Sequence, residues 1–175
     1  MCRFMVGIAV VLAVMMTALL VWANRSDDAP LATGAIADRI VVWKSKRQME
    51  LYAKGQLLKS YRVSLGRHPA GSKQQEGDGR TPEGLYAVEL HNPQSTCHKA
   101  LKLSYPSAAD RAAAAKRGVD PGGYIMIHGL RNGLGLIGRL HRYRDWTLGC
   151  IGVTDPEIDE IYRAAPDGTP VEIHP

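Results

Sequence analysis

Two short runs, one ending in His-Gly and one containing Gly-Cys, constrain this chain more than any other feature. Residues 124–128 read as a strand that ends at His128, and Cys150 follows twenty-two positions later, after Gly149, in what should be a tight turn leaving a strand. A cysteine attacks as its thiolate, and a free thiol has a pKa of about 8.5, so it needs a base or a cation beside it. We expect His128 to meet this need and the amides near Cys150 to stabilise an oxyanion. The alternative is a buried structural cysteine and a hydrogen-bonded core histidine.

The same residues resemble the catalytic segment of the L,D-transpeptidase (YkuD-type) family. That family's pattern is His-Gly, a spacer and then Ser/Thr-His-Gly-Cys. His128-Gly129 matches the first part, and Thr147, Gly149 and Cys150 match the second. An Asp-Trp-Thr run before the Gly-Cys pair, as found here, is typical of one subgroup of the family.

The resemblance extends upstream and covers residues from about 40 to 175. Residues 77–86, GDGRTPEGLY, are similar to the family's G-D-x-R-T-P-x-G-x-Y segment, and residues 104–106 and 121–129 also fit the Asp-Trp-Thr subgroup. The resemblance implies an α+β, β-rich fold, an L,D-transpeptidase-like sandwich or barrel with two short helices.

Four residues are the predicted catalytic group. Cys150 is the nucleophile, and His128 is the proton donor and acceptor. Gly149 supplies backbone to the oxyanion site, and the Thr147 hydroxyl orients His128 or braces the turn by local hydrogen bonding to the backbone.

Three further residues are the predicted substrate-binding group: Arg80, Trp146 and Gly129. Arg80 lies in a charged, glycine-rich loop, and such loops are commonly just solvated. Trp146 is of a type that commonly fills a core, which is the alternative for that residue.

Two positions depart from the family's pattern. Leu148 stands where a second motif histidine is common, and Gly152 stands where many members carry an arginine, which the resemblance implies binds the donor peptide's carboxylate. The preceding segment offers candidate replacements: Arg131, Arg139, Arg142 and Arg144.

The expected reaction is L,D-transpeptidation of peptidoglycan stem peptides through an acyl-enzyme. The first alternative is amide hydrolysis, by an L,D-carboxypeptidase or by an amidase that detaches a wall-linked protein, because the Asp-Trp-Thr subgroup includes hydrolases. The second alternative is a non-catalytic wall-binding module on the same fold, which would need neither the thiol nor the imidazole.

His141, nine residues before Cys150, is the alternative base. It lies in the basic run 139–144, which is expected to be a loop whose positive charges disfavour protonation. His128 ends an apolar strand that fixes its position, so we favour His128. No cofactor and no metal are predicted. The histidines lack the paired spacing of metal ligands, and no Cys-x-x-Cys occurs. The histidines considered are His91, His98, His128 and His141.

The N-terminal segment is expected to place the domain outside the cytoplasm. Residues 4–23 are apolar except for Thr17, and about 20 apolar residues suffice to span a bilayer. The segment is predicted to be a signal anchor in the inner membrane or a cleaved signal peptide. Residues 24–38 read as a linker, and residues 39–175 as the catalytic domain in the periplasm of the cell envelope.

The net charge indicates which binding partners to expect, and the cysteine count limits the possible disulfides. A net charge of +5 would hold the protein near the carboxylates of peptidoglycan. The positive residues are scattered rather than clustered, so no nucleic-acid partner is expected. With three cysteines the disulfide capacity is small, and a Cys97–Cys150 bond is the alternative to a reduced nucleophile.

Strands dominate the predicted elements. Three of them form an antiparallel meander, and three more follow; the ranges are 40–43, 48–53, 56–65, 85–90, 124–128 and 169–173. One helix is predicted over residues 107–117, closed by Gly118, and another from the capping box at 154–157 to about residue 165. Residues 130–144 have no regular period and are interpreted as a lid over the substrate or as a surface loop.

Overall fold

The structure, a computed structural model, describes residues 2–25 and 29–175. The centre of the predicted linker, residues 26–28, lies outside the described residues. The helices are α1 (Cys2–Ala23), α2 (Ala108–Arg117) and α3 (Asp155–Ala164), with a 3₁₀ segment at Gly135–Tyr143. The strands are β1 (Arg39–Trp43), β2 (Gln48–Ala53), β3 (Gln56–Arg62), β4 (Gly84–Asn92), β5 (Ala100–Leu103), β6 (Met126–His128), β7 (Ile151–Gly152) and β8 (Pro170–His174).

The strands form one sheet in the order β3-β2-β1-β8-β4-β5-β6-β7. β1, β2 and β3 are antiparallel neighbours, which confirms the predicted meander. β8 returns to the middle of the sheet and runs parallel to β1, with Ile40 opposite Val171. The C-terminal strand therefore joins the meander to the half of the sheet that contains β6 and β7.

Hydrogen bonds between the two ends of this order curl the sheet. Beyond β3, Ser64 N–H donates to the Gly152 carbonyl at 2.9 Å, and Gly152 N–H donates to the Ser64 carbonyl at 2.8 Å. Gly66 and Thr147 form a second bridge nearby. This closure confirms the predicted β-rich α+β fold, and the core lies within the curl; its largest fully buried side chains include Leu51, Leu65, Leu101, Ile127, Ile151 and Ile158.

The two short helices begin and end where the sequence predicts. Ser107 caps α2 in a capping box with Asp110, and Gly118 closes the helix in the left-handed conformation with φ of 68°. At the start of α3, the Glu157 carboxylate accepts hydrogen bonds from the Thr154 amide at 2.9 Å and the Thr154 hydroxyl at 2.8 Å. The apolar face of α3 packs on the sheet through buried isoleucines, which fixes the helix beside the end of β6.

The segment 130–144, expected to be a lid or a loop, contains the 3₁₀ segment. The C-terminal end of α1 packs against this 3₁₀ segment. The guanidinium of Arg139 donates to the Trp22 carbonyl at 2.6 Å and lies 4.4 Å from the centre of the Trp22 ring. Asn24 donates to the Leu136 carbonyl at 2.7 Å. Gly138, with φ of 47°, meets the buried Ala23 so closely that an added Cβ would overlap its carbonyl oxygen.

The segment predicted to insert into a membrane, residues 4–23, coincides with α1. Within residues 2–25 and 29–175, no helix has both the length and the apolarity needed to cross a membrane.

Gly138→Ala should destabilise the contact between α1 and the 3₁₀ segment, because the new Cβ overlaps Ala23 and the backbone is in a region that favours glycine. We expect a loss of about 1–3 kcal/mol in the free energy of unfolding of the full chain in urea. Gly133→Ala is the matched control, because Gly133 also has a positive φ, 87°, but an added Cβ meets nothing within 4 Å. Equal losses for the two variants would contradict the packing argument.

Candidate active site

The candidate active site lies where β6 and β7 run side by side. The strands are parallel, with Ile127 opposite Ile151 and His128 opposite Gly152. Paired residues of neighbouring strands project to the same face, so positions 128 and 152 share one face of the two strands. Cys150 lies on the turn just before β7, two residues from the position that pairs with His128, so the fold brings these two residues into one region of the sheet.

Cys150 lies on a turn that leads into β7, not on one that leaves a strand. Gly149 has φ of 133°, and an added Cβ would lie 2.6 Å from the Arg80 carbonyl oxygen, so glycine is required there. The Thr147 hydroxyl donates to the Cys150 carbonyl at 2.7 Å and accepts the Gly149 N–H at 3.1 Å. Thr147 thus braces the turn and engages the Gly149 amide, which leaves the Cys150 amide as the candidate oxyanion donor.

The thiol of Cys150 is half-buried and protonated at neutral pH. Its Sγ lies 3.5 Å from the Tyr124 carbonyl oxygen, to which the S–H donates. Burial raises the pKa of Cys150 to about 11, against a smaller lowering by a Met126 backbone hydrogen bond and the charge of Lys73. The resting nucleophile is therefore a thiol that must lose its proton to react.

His128 is buried, with 6% of its surface exposed, and its hydrogen bond fixes the tautomer. Nδ1 lies 2.7 Å from the Gly129 carbonyl oxygen. A carbonyl oxygen only accepts, so Nδ1 carries the proton and Nε2 keeps its lone pair. Burial lowers the pKa of His128, against the opposing effect of the Gly129 bond, so the imidazole is neutral and can accept a proton through Nε2.

Trp146 packs edge-on against His128, with ring centroids 5.7 Å apart and planes at 73°. The same indole covers Gly152, where an added Cβ would lie 3.2 Å from Trp146 Cζ2. The half-buried indole thus occupies the space beside position 152, where many family members carry an arginine. Trp146 contacts the candidate base, and Leu148, at the other departure from the family's pattern, is exposed.

Gly129 fits where three segments meet. An added Cβ would lie 2.7 Å from Asp155 Oδ1, 3.0 Å from Ile158 Cγ2 and 3.1 Å from His98 Cβ. Its carbonyl holds the His128 ring, and its small size lets α3 approach β6. Gly129 therefore lies at a packing contact, and its carbonyl orients the His128 ring.

The loop before β4 forms a wall beside the nucleophile turn. Arg80 contributes its backbone there, while its guanidinium reaches towards Gly71. The buried Lys73 ammonium donates to Asp78 Oδ1 at 2.9 Å. Burial raises the pKa of Asp78, but hydrogen bonds from the amides of residues 74, 75 and 80 and from Lys73 outweigh it and hold the pKa at about 2. The wall is therefore braced by a charged aspartate across the physiological pH range.

His141, expected to lie in a basic loop, is instead buried, with 6% exposure. Its Nδ1 accepts the Trp146 Nε1–H at 3.2 Å, and Ser64 Oγ lies 3.1 Å from the same atom. The basic neighbours are engaged elsewhere, since Arg142 pairs with Glu157 at 2.5 Å. The pairing with Glu157 directs Arg142 towards α3. Of the other candidate carboxylate-binding residues, Arg139 contacts α1, and Arg131 and Arg144 are exposed.

The remaining candidate histidines are paired with carboxylates. His91 pairs with Asp167 at 2.6 Å, and His98 pairs with Asp159 at 3.1 Å. Across the described ranges, no group of three or more His, Cys, Asp or Glu side chains is arranged to hold a metal ion. Cys97 and Cys150 are both free thiols, so the alternative Cys97–Cys150 disulfide is not formed.

Residues 37–173 match the family described as the L,D-transpeptidase catalytic domain. A curated relative, "Putative L,D-transpeptidase YafK" of Escherichia coli (strain K12), is 33% identical over 130 residues, which are 71% of this chain and 45% of YafK. The chain thus spans less than half the length of this relative.

Two solved structures share the fold. The helical cell shape determining protein Pgp2 of Campylobacter jejuni superposes with a TM-score of 0.61 and 20% identity, covering 90% of this chain and 54% of Pgp2. Bd1075 of Bdellovibrio bacteriovorus superposes with a TM-score of 0.54 and 21% identity, covering 83% of this chain and 53% of Bd1075. At these identities the likeness extends to the fold alone.

Alkylation of Cys150 by iodoacetamide should accelerate about tenfold per pH unit between pH 7 and 9, because only the thiolate reacts and the pKa is raised to about 11. The measurement uses a chain with Cys2→Ala and Cys97→Ala, so that Cys150 is the one thiol left. Free glutathione in the same buffers is the control and should level off near a normal thiol pKa. A plateau for Cys150 below pH 8 would indicate a preformed thiolate–imidazolium pair and contradict the neutral resting site.

Proposed function

The chain belongs to the L,D-transpeptidase catalytic domain family, and on that premise we propose that it is a cell-wall enzyme that acts on peptidoglycan stem peptides. In this proposal Cys150 is the nucleophile and His128 is its base. The observation that supports it is the pairing of β6 with β7, which sets His128 opposite Gly152, two residues after Cys150, together with the His128 tautomer that leaves the Nε2 lone pair available.

The neutral state of both groups defines the proposed first step. His128 Nε2 takes the Sγ proton as the sulfur attacks an amide carbonyl of the stem peptide, so an S–C bond forms and the carbonyl becomes an oxyanion. The Cys150 amide donates to that oxyanion. Collapse breaks the C–N bond, the imidazolium returns its proton to the leaving amine, and a thioester remains on Cys150.

The second step decides between transfer and hydrolysis. An acceptor amine loses a proton to His128 and attacks the thioester, the C–S bond breaks, and the imidazolium returns the proton to the Cys150 sulfur. An amine acceptor gives a cross-linked or exchanged peptide, whereas water gives the free acid. We take L,D-transpeptidation as the main proposal because it is the reaction of the family's name.

Hydrolysis is the second candidate, and the surroundings of position 152 favour it. Trp146 occupies the space beside Gly152, and Arg139 and Arg142 are engaged by α1 and α3. A donor that presents a free carboxylate near the scissile bond would therefore lack these cations, and a bidentate arginine contact is a strong one. An amidase that detaches a wall-linked protein needs no such contact where the linking amide lies away from a terminal carboxylate.

Export is part of the proposal, because peptidoglycan lies in the cell envelope. The apolar segment 4–23 would direct the chain there as a signal peptide. A non-catalytic wall-binding module is the third candidate, and it leaves the Cys150 and His128 arrangement without a use.

Incubation with defined tetrapeptide muropeptides and an excess of a competing amino acid, followed by mass analysis of the products, tests the reaction. Cross-linked or exchanged peptide is the result expected for transfer. Tripeptide alone, or release of a wall-linked protein without exchange, would replace transfer by hydrolysis. Binding without any product would leave the wall-binding module.

Cys150→Ser should abolish measurable turnover of muropeptides, because a hydroxyl is far less acidic than a thiol in the same position. Cys97→Ser is the matched control, since it makes the same change at the other half-buried free thiol and should keep near-parental turnover. Parental turnover in the Cys150 variant would refute the assigned nucleophile.

His128→Ala should reduce the rate by about 10² to 10⁴, the usual contribution of general acid–base catalysis. His174→Ala is the control and should leave the rate unchanged. His174 lies in β8, where it stacks on Trp43 of β1, and β8 is separated from β6 and β7 by two strands in the sheet order. A loss of less than tenfold for His128→Ala would exclude His128 as the base.

A further inference from the structure

His141 is a buried histidine that the proposed reaction leaves without a function. It lies in the 3₁₀ segment, with 6% of its surface exposed. Its imidazole and the His128 imidazole both approach Trp146 edge-on, at 6.3 Å and 5.7 Å between ring centroids. The indole is therefore a neighbour of both histidines.

The hydrogen bonds of His141 determine which ring nitrogen carries its proton. An indole nitrogen only donates, and Trp146 Nε1 lies 3.2 Å from His141 Nδ1, so Nδ1 must be the acceptor. Because that lone pair is used, the Ser64 hydroxyl donates to the His141 carbonyl instead, at 3.2 Å. The proton of the neutral ring is then on Nε2, which is buried without a partner among the described residues.

His141 stays neutral in this environment. Burial lowers its pKa to about 3, with further lowering by the charge of Arg142 and, when His128 is protonated, by that of His128. A neutral ring with its lone pair directed at Trp146 cannot take the proton of Cys150. At any pH well above 3 it therefore keeps its Nδ1 lone pair as the acceptor of the indole N–H.

We propose that His141 is a positioning residue, which fixes the Trp146 indole and thereby holds the His128 ring in the orientation needed for proton transfer. The inference rests on the proposed function in one respect, that His128 is the base. The contacts form a continuous path from Ser64 on the sheet through His141 and Trp146 to His128. An error of about 1 Å in the placement of a reacting group can cost 10²-fold in rate, so a remote hydrogen bond can matter.

The tautomers give a test that needs no activity. In the chain labelled with ¹⁵N-histidine, NMR should find His141 protonated on Nε2 and His128 protonated on Nδ1. The Trp146 indole N–H, identified by its loss in Trp146→Phe, should be protected from solvent exchange, and His141→Leu should remove that protection. A His141 ring protonated on Nδ1 would overturn the proposal.

A double-mutant cycle gives the kinetic test. His141→Leu should lower kcat about tenfold or more with little change in KM, since it misplaces the base and not the substrate. His141→Asn keeps an acceptor near the position of Nδ1 and should recover the rate to within about threefold of the parent. In a Trp146→Phe background the indole N–H is missing, so His141→Leu should add less than about twofold.

The pH profile separates positioning from loss of stability. If the indole moves and water reaches His128, the pKa of His128 rises towards its ordinary value, so the acidic limb of kcat/KM should move to higher pH in His141→Leu. Additive effects in the cycle, or no recovery by His141→Asn, would overturn the proposal. If the parent turns over no muropeptide, the proposed function fails, and the tautomers and indole exchange still decide the positioning of Trp146.

Discussion

The parallel register of β6 and β7 is the constraint on which the rest of the structure depends. β7 contains only two residues, and it is held on its other side by Ser64, which exchanges two N–H···O bonds with Gly152 at 2.9 Å and 2.8 Å. A slip of one residue would change which residue of β7 lies opposite His128, and with it the placement of His128 relative to Cys150. The same pairing therefore closes the sheet and sets the geometry of the candidate site.

Burial sets the charge state of that site before any substrate binds. It raises the pKa of Cys150 to about 11 and lowers the pKa of His128, so the pair rests as a neutral thiol and a neutral imidazole. Proton transfer then has to accompany attack instead of preceding it, and such transfer depends on the position of the base. Because the rate depends on the position of the base, it should also depend on the Trp146 indole that contacts His128 and on His141, which holds the indole. An exposed ion pair would not create this dependence.

Local signals made much of this fold predictable, and contacts remote in sequence account for what was missed. The meander, the Gly118 helix end and the α3 capping box each depend on neighbouring residues, and the structure confirms them. The motif resemblance predicts Cys150 and His128 as the catalytic pair, and their roles stay a prediction. A two-residue strand has no period to detect, and the 3₁₀ segment is stabilised by α1 and by Trp146, so neither could be predicted. The expectation that His141 lies in a basic loop was wrong for the same reason.

The acyl-enzyme is the central claim, and the mass of the intact chain during turnover tests it most directly. The chain is mixed with a tetrapeptide muropeptide, quenched rapidly in acid and analysed before and after proteolysis. We predict a mass increase equal to the acyl part of the donor, located on the peptide that contains Cys150 and absent from the Cys150→Ser chain. Turnover with no adduct at any quench time, or with an adduct on another residue, would contradict the account.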